Sequence, residues 1–149
     1  MSTLKSNSIL FLSVANQART QIAEGLARHF LGYEKDVLSA GITPAQKIHP
    51  MAIAVMAEIG LDISHQRPRG VETIRLNEIE RVIVIIAPDA KTNPLSSIEI
   101  PELKTARWQI IDPMSIPVTL PEEHMRKFRK VRDDIRKKIL TLRAANKIW

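Results

Sequence analysis

Short runs of apolar residues mark four candidate strands along the chain. Ser8–Leu12 is a short apolar run typical of a buried strand. Arg81–Ile86 is the clearest case because it is apolar on both faces, as a central parallel strand covered on both sides must be. Two further segments, Asp36–Ser39 and Arg107–Ile111, complete the set and end at Gly41 and at an Asp-Pro pair. The pattern therefore predicts four strands.

Apolar residues spaced three and four positions apart predict three helices. The first runs from about Thr20 to Leu31, and the second covers Met51–Ile59, with Gly60 as a left-handed cap at its end. A long third helix runs from Pro121 to about Ala145. Its predicted buried face comprises Met125, Phe128, Val131, Ile135, Ile139 and Leu142. Because strands alternate with helices, the fold class is α/β with a parallel sheet and right-handed crossovers.

Length and composition are those of one folded domain. At 149 residues, with 44% hydrophobic and 26% charged residues, the chain is neither disordered nor fibrous. No repeat or linker divides it, so we expect residues 1–149 to form a single domain. No segment is apolar enough to span a bilayer, and we expect no membrane partner. The polar segment Met1–Asn7 lacks the layout of a secretory signal, so we expect the protein in the cytoplasm.

The net charge of +6 is concentrated near the C-terminus. Between Arg126 and Lys147 there are ten Lys or Arg and two Asp, a net charge of +8 that leaves −2 for residues 1–125. Such a segment can attract nucleic acid or an acidic protein, or it can be a solvated helix face. Few aromatic residues lie among these cations and no nucleic-acid-binding motif is present, so the sequence favours the solvated face, and nucleic acid is not expected as a partner.

The segment after the first strand is the strongest candidate for chemistry. Ligands of parallel sheets bind beyond the carboxyl ends of the strands, and Ser13 stands at such an end. A short loop before a helix presents unpaired backbone N–H groups and the positive end of the helix dipole, which favours a bound oxyanion. Arg19 adds a planar guanidinium that can hold two oxygens, and Asn16 can brace the loop. A plain turn with Arg19 in water remains the alternative.

Residues Ile9–Glu24 resemble the opening of the low-molecular-weight protein tyrosine phosphatases and the related thioredoxin-coupled arsenate reductases. The signature of that family is a cysteine, five residues, an arginine and a serine or threonine directly after the first strand. The resemblance continues through Ser39-Ala40-Gly41, His49-Pro50, Glu58–Ile63, Asp112-Pro113 and the reductase-like ending Phe128–Ile135. It covers nearly the whole chain in order. It implies a three-layer fold, a four-stranded parallel sheet flanked by helices.

The resemblance also implies roles for individual residues. Ser13 occupies the position of the nucleophilic cysteine, and Arg19 that of the arginine that clamps the oxyanion. Asn16 corresponds to the residue that shapes the loop and Thr20 to the hydroxyl that steadies the nucleophile. Asp112 corresponds to the general acid, although an Asp-Pro turn without a catalytic role is the alternative. The implied phosphate-binding loop consists of Ser13, Val14, Ala15, Asn16, Gln17, Ala18, Arg19 and Thr20.

The chain departs from this family because it contains no cysteine. A serine hydroxyl is a far weaker acid than a thiol and needs an adjacent base, which the loop does not supply. The four His residues lie outside the loop, where a solvated or core role is expected. Residues 87–94 lack the two further cysteines of the reductase branch, which excludes arsenate reduction through thiols. Met114-Ser115 stand where the phosphatase branch has aromatic residues.

Three functions follow as hypotheses. The first is a phosphatase-fold protein that binds phosphate, an arsenate-like oxyanion, or a phosphorylated small molecule or protein, with little or no turnover. The second is a phosphomonoester phosphatase, active or slow, that uses Ser13 or a water molecule with Asp112. The third is a binding module that uses the basic C-terminal helix. None of the three requires a metal or another cofactor, and we expect none.

Overall fold

The computed structural model describes residues 7–32, 35–90, 98–115 and 120–145. Within these ranges four parallel strands form one sheet in the order β2-β1-β3-β4. The strands are β1 (Ile9–Ser13), β2 (Val37–Gly41), β3 (Arg81–Ile86) and β4 (Thr105–Gln109). Every residue of β1 is buried, because β1 pairs on both edges. The predicted α/β fold with a four-stranded parallel sheet is confirmed.

Three α-helices contribute to the larger of the two hydrophobic cores. They are α1 (Arg19–Leu31), α2 (Pro50–Ala57) and α3 (Pro121–Ala145). Their apolar residues pack on the sheet face that carries Phe11 and Ile83. The opposite face, with Leu10 and Val82, is covered by residues 71–79 and by Ile98 and Ile100, a segment that contains short 3₁₀ turns. No helix in the described ranges is long and apolar enough to cross a bilayer.

The prediction for β4 was wrong by two residues. The strand covers Thr105–Gln109 instead of Arg107–Ile111 because its ladder with β3 pairs Val82 with Thr105 and ends where β3 ends. The other strands and α3 lie within two residues of their predicted bounds.

The caps of α2 follow the predicted chemistry. Gly60 has a φ of +79°, and the amides of Gly60 and Leu61 donate to the carbonyls of Ala57 and Met56. This pair of hydrogen bonds is the Schellman motif that a glycine makes possible. At the other end the imidazole Nδ1 of His49 accepts a hydrogen bond from the amide of Met51 at 3.1 Å. The two caps fix α2 and with it the backbone of His49 beside the end of β1.

The buried face of α3 follows the prediction, with one addition. Phe128, Val131, Ile135 and Ile139 are buried, and Met125 and Leu142 pack at the edge of the core. Arg132 is also buried, because its guanidinium donates to the carbonyl of Val55 at 2.9 Å and to Glu58 at 2.8 Å. The charged group is therefore satisfied by α2, and it ties α3 to that helix.

Candidate anion-binding site

The β1–α1 loop (Ser13–Thr20, which includes the end of β1 and the start of α1) is held from outside by its carbonyl groups. The carbonyls of Ser13, Val14, Ala15 and Gln17 accept hydrogen bonds of 2.8–3.2 Å from the amides of Ile42, Thr43, Ala45 and His49 respectively. A trans peptide points its C=O and the following N–H in opposite directions. The outward carbonyls therefore turn the N–H groups of the next residues towards the inside of the loop.

Several of these inward N–H groups remain available. In the described part of the chain, the amides of Val14, Ala15 and Ala18 have no protein acceptor. The loop also leads directly into α1, whose N-terminal end carries partial positive charge. Convergent N–H groups at a helix N-terminus form a concave site for an anion.

Asn16 sets the sharp bend of the loop. Its backbone φ is +51°, in the left-handed region that asparagine tolerates better than most residues. Its side chain is fully buried and bonded at both ends: Nδ2 donates to Thr20 Oγ1 at 2.9 Å, and Oδ1 accepts from the amide of Arg69 at 3.0 Å. Asn16 therefore supplies the bend that glycine supplies in many phosphate loops, and it locks that bend in place.

Two buried glutamines extend this support away from the loop. Gln21 Nε2 donates to the backbone carbonyl of Asn16 at 3.0 Å and to Asn16 Oδ1 at 3.2 Å. Gln66 Nε2 donates in turn to the Gln21 carbonyl at 3.0 Å and to Gln21 Oε1 at 2.8 Å. The amide side chains of Asn16, Gln21 and Gln66 form one chain of hydrogen bonds, so the position of the loop depends on the segment around Gln66.

Gly41 makes room for the loop at the end of β2. A Cβ atom at this position would lie 2.6 Å from the carbonyl oxygen of Val14 and 3.0 Å from the amide nitrogen of Asn16. Both are backbone atoms, which cannot move aside without changing the loop itself. Only glycine therefore fits where β2 passes the β1–α1 loop.

Ser13 lies at the base of the loop and is 6% exposed. Its Oγ accepts a hydrogen bond from the amide of Asn16 at 3.1 Å and lies 3.1 Å from Thr20 Oγ1. When Thr20 donates, both lone pairs of Ser13 Oγ are occupied, and its own proton is left to donate to a ligand. In the described ranges no carboxylate or imidazole lies within hydrogen-bonding distance of this hydroxyl.

Arg19 is directed towards the segment after β4. Its Nη1 donates to the carbonyl of Ile110 at 2.9 Å, and its Nη2 lies 4.0 Å from Asp112 Oδ2. The side chain of Arg19 is only 18% exposed. Burial lowers the pKa of Arg19, and the carboxylate of Asp112 opposes this shift. The structure thus brings Arg19 and Asp112 together, as the roles implied by the resemblance require.

Asp112 also stabilises its own turn. Its Oδ1 accepts a hydrogen bond from the amide of Met114 at 3.0 Å, and its carbonyl accepts from the amide and hydroxyl of Ser115. The carboxylate is about one-third exposed. The Asp112 side chain therefore does both things: one carboxylate oxygen stabilises the turn, and the other lies near Arg19.

His49 lies beside the loop, because its backbone amide donates a hydrogen bond to the carbonyl of Gln17. The ring stacks on Phe128 with centroids 4.8 Å apart. Burial lowers the pKa of His49, neighbouring His124 lowers it further, and Asp112 opposes the shift. Because Nδ1 accepts the capping hydrogen bond, the neutral ring carries its proton on Nε2. The ring therefore offers a donor and not a base.

Apolar side chains adjoin the loop and the Asp112 turn. The exposed large hydrophobic residues in the described ranges are Val14, Leu103, Ile111, Met114 and Leu120. Val14 belongs to the β1–α1 loop, and Ile111 and Met114 flank Asp112. Single exposed apolar residues are ordinary, but several beside one polar site are typical of a binding surface.

Sequence reasoning assigned no function to Gly41, Gln66 or His49. Gly41 and His49 belong to short segments that match the family named in the sequence analysis, and those matches could have pointed to a role for them. Gln66 carried none, because it meets Gln21 across 45 residues of chain. No group of three His, Cys, Asp or Glu in the described ranges is placed to hold a metal ion.

Comparisons with known proteins agree with the resemblance stated above. A family model described as low molecular weight phosphotyrosine protein phosphatase matches residues 8–147. An arsenate reductase of Bacillus subtilis (strain 168) is 35% identical over 132 residues, which cover 89% of this chain and 91% of that protein. An arsenate reductase of Halalkalibacterium halodurans is 35% identical over 139 residues, covering 93% of this chain and 96% of that protein.

Solved structures give the same picture. An arsenate reductase in the phosphate binding state superposes with a TM-score of 0.71 at 27% identity, covering 93% of this chain and 97% of that one. The YwlE arginine phosphatase, as a cysteine-to-serine mutant with a phosphorylated active site serine, superposes with a TM-score of 0.75 at 18% identity. That match covers 94% of this chain and 95% of the other and concerns the fold.

Proposed function

Because the chain belongs to the low molecular weight phosphotyrosine protein phosphatase family, we propose that it binds phosphate or a phosphorylated ligand at the β1–α1 loop with little or no turnover. The observation that carries the proposal is a loop with inward N–H groups and a buried Arg19, beside a hydroxyl instead of a thiol at position 13. These features support binding of an anion by a site whose nucleophile is weakened.

The weakness of Ser13 is a matter of acidity. A thiol in such a loop ionises because N–H groups and the helix dipole stabilise the thiolate. The same field does not ionise a serine hydroxyl, which needs a base within hydrogen-bonding reach. In the part of the chain that the structure describes, Ser13 Oγ has only Asn16 and Thr20 as partners, and the unprotonated Nδ1 of neutral His49 accepts the hydrogen bond that caps α2. Attack by Ser13 is therefore slow, while hydrogen bonding to a bound oxyanion is unaffected.

The proposed ligand class is a tetrahedral oxyanion, either free or as a phosphoryl group on a larger molecule. The arsenate reductase in the phosphate binding state supports phosphate as a ligand. The apolar side chains of Val14, Ile111 and Met114 favour a phosphorylated small molecule or protein over the bare ion. Reduction of arsenate through protein thiols is impossible here, since the chain has no cysteine. The single-domain organisation and the cytoplasmic location stay predictions.

Isothermal titration calorimetry with phosphate and tungstate tests the binding proposal. We expect wild-type protein to bind at millimolar concentration or below, and Arg19→Ala to weaken binding by about tenfold to a hundredfold, the range for a hydrogen-bonded charge. Arg107→Ala, which removes an exposed cation on β4, serves as the charge-matched control and should leave the affinity unchanged. No heat of binding at millimolar anion, or equal affinities for wild type and Arg19→Ala, would contradict the proposal.

A slow phosphatase is the second candidate, and the position of Asp112 beside Arg19 favours it. In this reaction Ser13 Oγ or a water oxygen bonds to phosphorus while the bond to the leaving oxygen breaks. Asp112 protonates the leaving oxygen, and the proton of the attacking hydroxyl or water passes to an oxygen of the phosphoryl group. Hydrolysis of p-nitrophenyl phosphate above background, lowered by both Ser13→Ala and Asp112→Asn, would establish this activity. We expect wild type near background and Ser13→Cys clearly above it, because that substitution restores an ionisable thiol.

The second candidate also has a covalent readout. In the YwlE mutant a serine at the active site carries a phosphoryl group. If Ser13 attacks a phosphate ester and the product is not hydrolysed, intact-protein mass spectrometry will find one added phosphoryl group after incubation with p-nitrophenyl phosphate. Ser13→Ala should remove the addition. Binding in calorimetry without this adduct would support the binding function alone.

A further inference from the structure

The basic segment at the C-terminus divides into two parts with different surroundings. In the first part, from Arg126 to Asp134, three of the five cations are paired: Arg129 lies 2.7 Å from Glu58, Lys130 3.4 Å from Asp134, and Arg132 within 2.9 Å of both Glu58 and Asp133. These residues join helices or neutralise one another. This part carries a net charge of +3 in the sequence, so the larger share of the excess, +5, comes from the second part.

The second part carries cations without acidic partners. In the described ranges no carboxylate lies within ion-pair distance of Arg136, Lys137 or Arg143, all of which are exposed. The sequence from Ile135 to Ala145 contains four Lys or Arg and no Asp or Glu. Lys147, the last cation of the segment, lies outside the described residues.

Phe30 at the end of α1 organises this surface. The guanidinium carbons of Arg136 and Arg143 lie 5.9 Å and 5.1 Å from the centre of its ring, and His29 meets the ring edge-on at 4.7 Å. We call His29, Arg136, Lys137 and Arg143 the basic end. Stacking on an aromatic ring limits the motion of the two guanidinium groups, so less entropy is lost when they bind a ligand.

The basic end is separate from the β1–α1 loop. α1 begins at Arg19 beside that loop and has 13 residues, which places its two ends about 18 Å apart at 1.5 Å per residue. Phe30 lies in the last turn of α1 and Arg19 in the first. A small oxyanion that contacts the basic end therefore does not contact Arg19.

Stabilisation of the helix dipole accounts for only part of this charge. Cations favour the last turn of a helix, and the effect falls off beyond that turn. Arg143 lies in the last turn of α3, but Arg136 and Lys137 lie about two turns earlier. In the described ranges no acidic side chain pairs with these cations, and Arg136 and Arg143 share the ring of Phe30; this arrangement points to an external polyanion.

We propose that the basic end binds the phosphate backbone of nucleic acid without sequence preference. A protein partner would require an apolar centre in its interface. The exposed large hydrophobic residues in the described ranges lie elsewhere, three of them beside the β1–α1 loop. Contacts with a phosphate backbone need only guanidinium, ammonium and other polar donors, which the basic end supplies. The proposal differs from the expectation drawn from the sequence, because the sequence alone does not distinguish paired from unpaired cations.

Fluorescence anisotropy with a labelled 24-base-pair duplex tests the proposal. We expect a dissociation constant between about 1 and 100 μM at 50 mM salt, as for non-specific binders. The affinity should depend on salt with a logarithmic slope of about −3, which corresponds to three phosphate contacts. Two duplexes of unrelated sequence should bind equally well.

Two double variants with the same change in net charge locate the surface. Arg136→Gln with Arg143→Gln should weaken binding by about tenfold at 50 mM salt and reduce the salt slope by about two. Arg75→Gln with Arg107→Gln removes two cations elsewhere and should leave both quantities unchanged. Arg136→Lys with Arg143→Lys, which keeps the charge, should retain most of the affinity. Circular dichroism confirms that each variant is folded.

Three results would overturn the proposal. The first is the absence of duplex binding at 50 mM salt. The second is an equal loss of affinity in the two Gln double variants, which would indicate that net charge alone is responsible. The third is binding to vesicles of anionic phospholipid, with the same dependence on Arg136 and Arg143, but none to the duplex.

Discussion

The two ends of α1 carry the two proposed binding sites, which are built differently. At its N-terminal end the β1–α1 loop has one buried guanidinium, and its backbone is fixed by hydrogen bonds to residues 42–49. At its C-terminal end the basic end has several exposed cations, of which Arg136 and Arg143 lie over the ring of Phe30. For the first arrangement we propose selectivity for the shape of a small oxyanion. For the second we propose an affinity that depends on the number of ligand charges contacted and falls as the salt concentration rises.

Substitution of Gly41 should separate the two proposed sites most strongly, because it should weaken phosphate binding and leave duplex binding unchanged. Gly41→Ala places a Cβ 2.6 Å from the Val14 carbonyl oxygen, so the β1–α1 loop must shift. We expect the variant to lose phosphate binding by at least about a hundredfold and about 1–3 kcal/mol of stability through overpacking. Duplex binding at the basic end should be unchanged. Calorimetry, anisotropy and thermal unfolding measure the three effects.

Gly60→Ala is the matched control for this variant. Its new Cβ meets nothing within 4 Å, but a φ of +79° strains any other residue by about 1–2 kcal/mol. The control should therefore lose stability and keep its affinity for phosphate. An equal loss of phosphate binding in both variants would mean that stability, and not the shape of the loop, governs the affinity.

A smaller effect is expected from Asn16→Ala. The substitution removes the hydrogen bonds to Thr20 and Arg69 and places alanine in the left-handed region. We expect a loss of about 2–4 kcal/mol in the free energy of unfolding and roughly tenfold in phosphate affinity. Denaturant unfolding and calorimetry measure the two quantities.

Asn16→Gly separates the two causes. Glycine adopts a φ of +51° without strain, so this variant should recover part of the stability but not the hydrogen bonds. If Asn16→Gly restores full phosphate affinity, the side chain of Asn16 does not position the loop and the backbone bend alone is responsible.

Gln66→Leu tests the support behind the loop. The leucine keeps the volume but leaves the carbonyl and Oε1 of Gln21 without their donor, which costs about 1–3 kcal/mol. We expect phosphate affinity to fall by a few-fold, measured by calorimetry. Gln46→Leu, at an exposed position, is the control. In a double-mutant cycle with Gln21→Leu, additive effects would show that the two glutamines do not act as a unit.

The smallest effect concerns pH. Because the pKa of His49 is lowered in the folded state, the unfolded chain binds a proton more readily, and stability falls as pH drops below about 6.5, the ordinary value for histidine. His49→Asn keeps a capping side chain for α2 and cannot titrate. We expect it to match wild type at pH 8 in thermal unfolding and to lose less stability at pH 5. An identical pH profile would exclude this contribution.

The sequence predicted the parts of the fold that depend on local patterns. The apolar run of β3 and the long amphipathic α3 gave bounds close to those observed, and Gly60 gave the cap of α2. The bounds of β4 were missed because they depend on where its neighbour β3 ends, which no local pattern contains.

The same distinction applies to the candidate site. The residue types of the β1–α1 loop were visible because they are consecutive, and their roles stay predictions. Gln66 was invisible because its contact with Gln21 depends on the tertiary fold. The pairing of Arg132 with Glu58 could be seen only in the packed helices, as could the position of Arg136 over Phe30 with no acidic partner in the described ranges.

The outward carbonyls of the β1–α1 loop have a consequence for its evolution and redesign. The amides of residues 42–49 donate hydrogen bonds to backbone carbonyls of the loop. The side chains of Val14, Ala15 and Gln17 therefore contribute little to the course of the backbone. These three positions are therefore open to exchange, so that new ligand preferences can be selected on an unchanged frame. A library randomised there should yield folded proteins far more often than one randomised at Asn16 or Gly41.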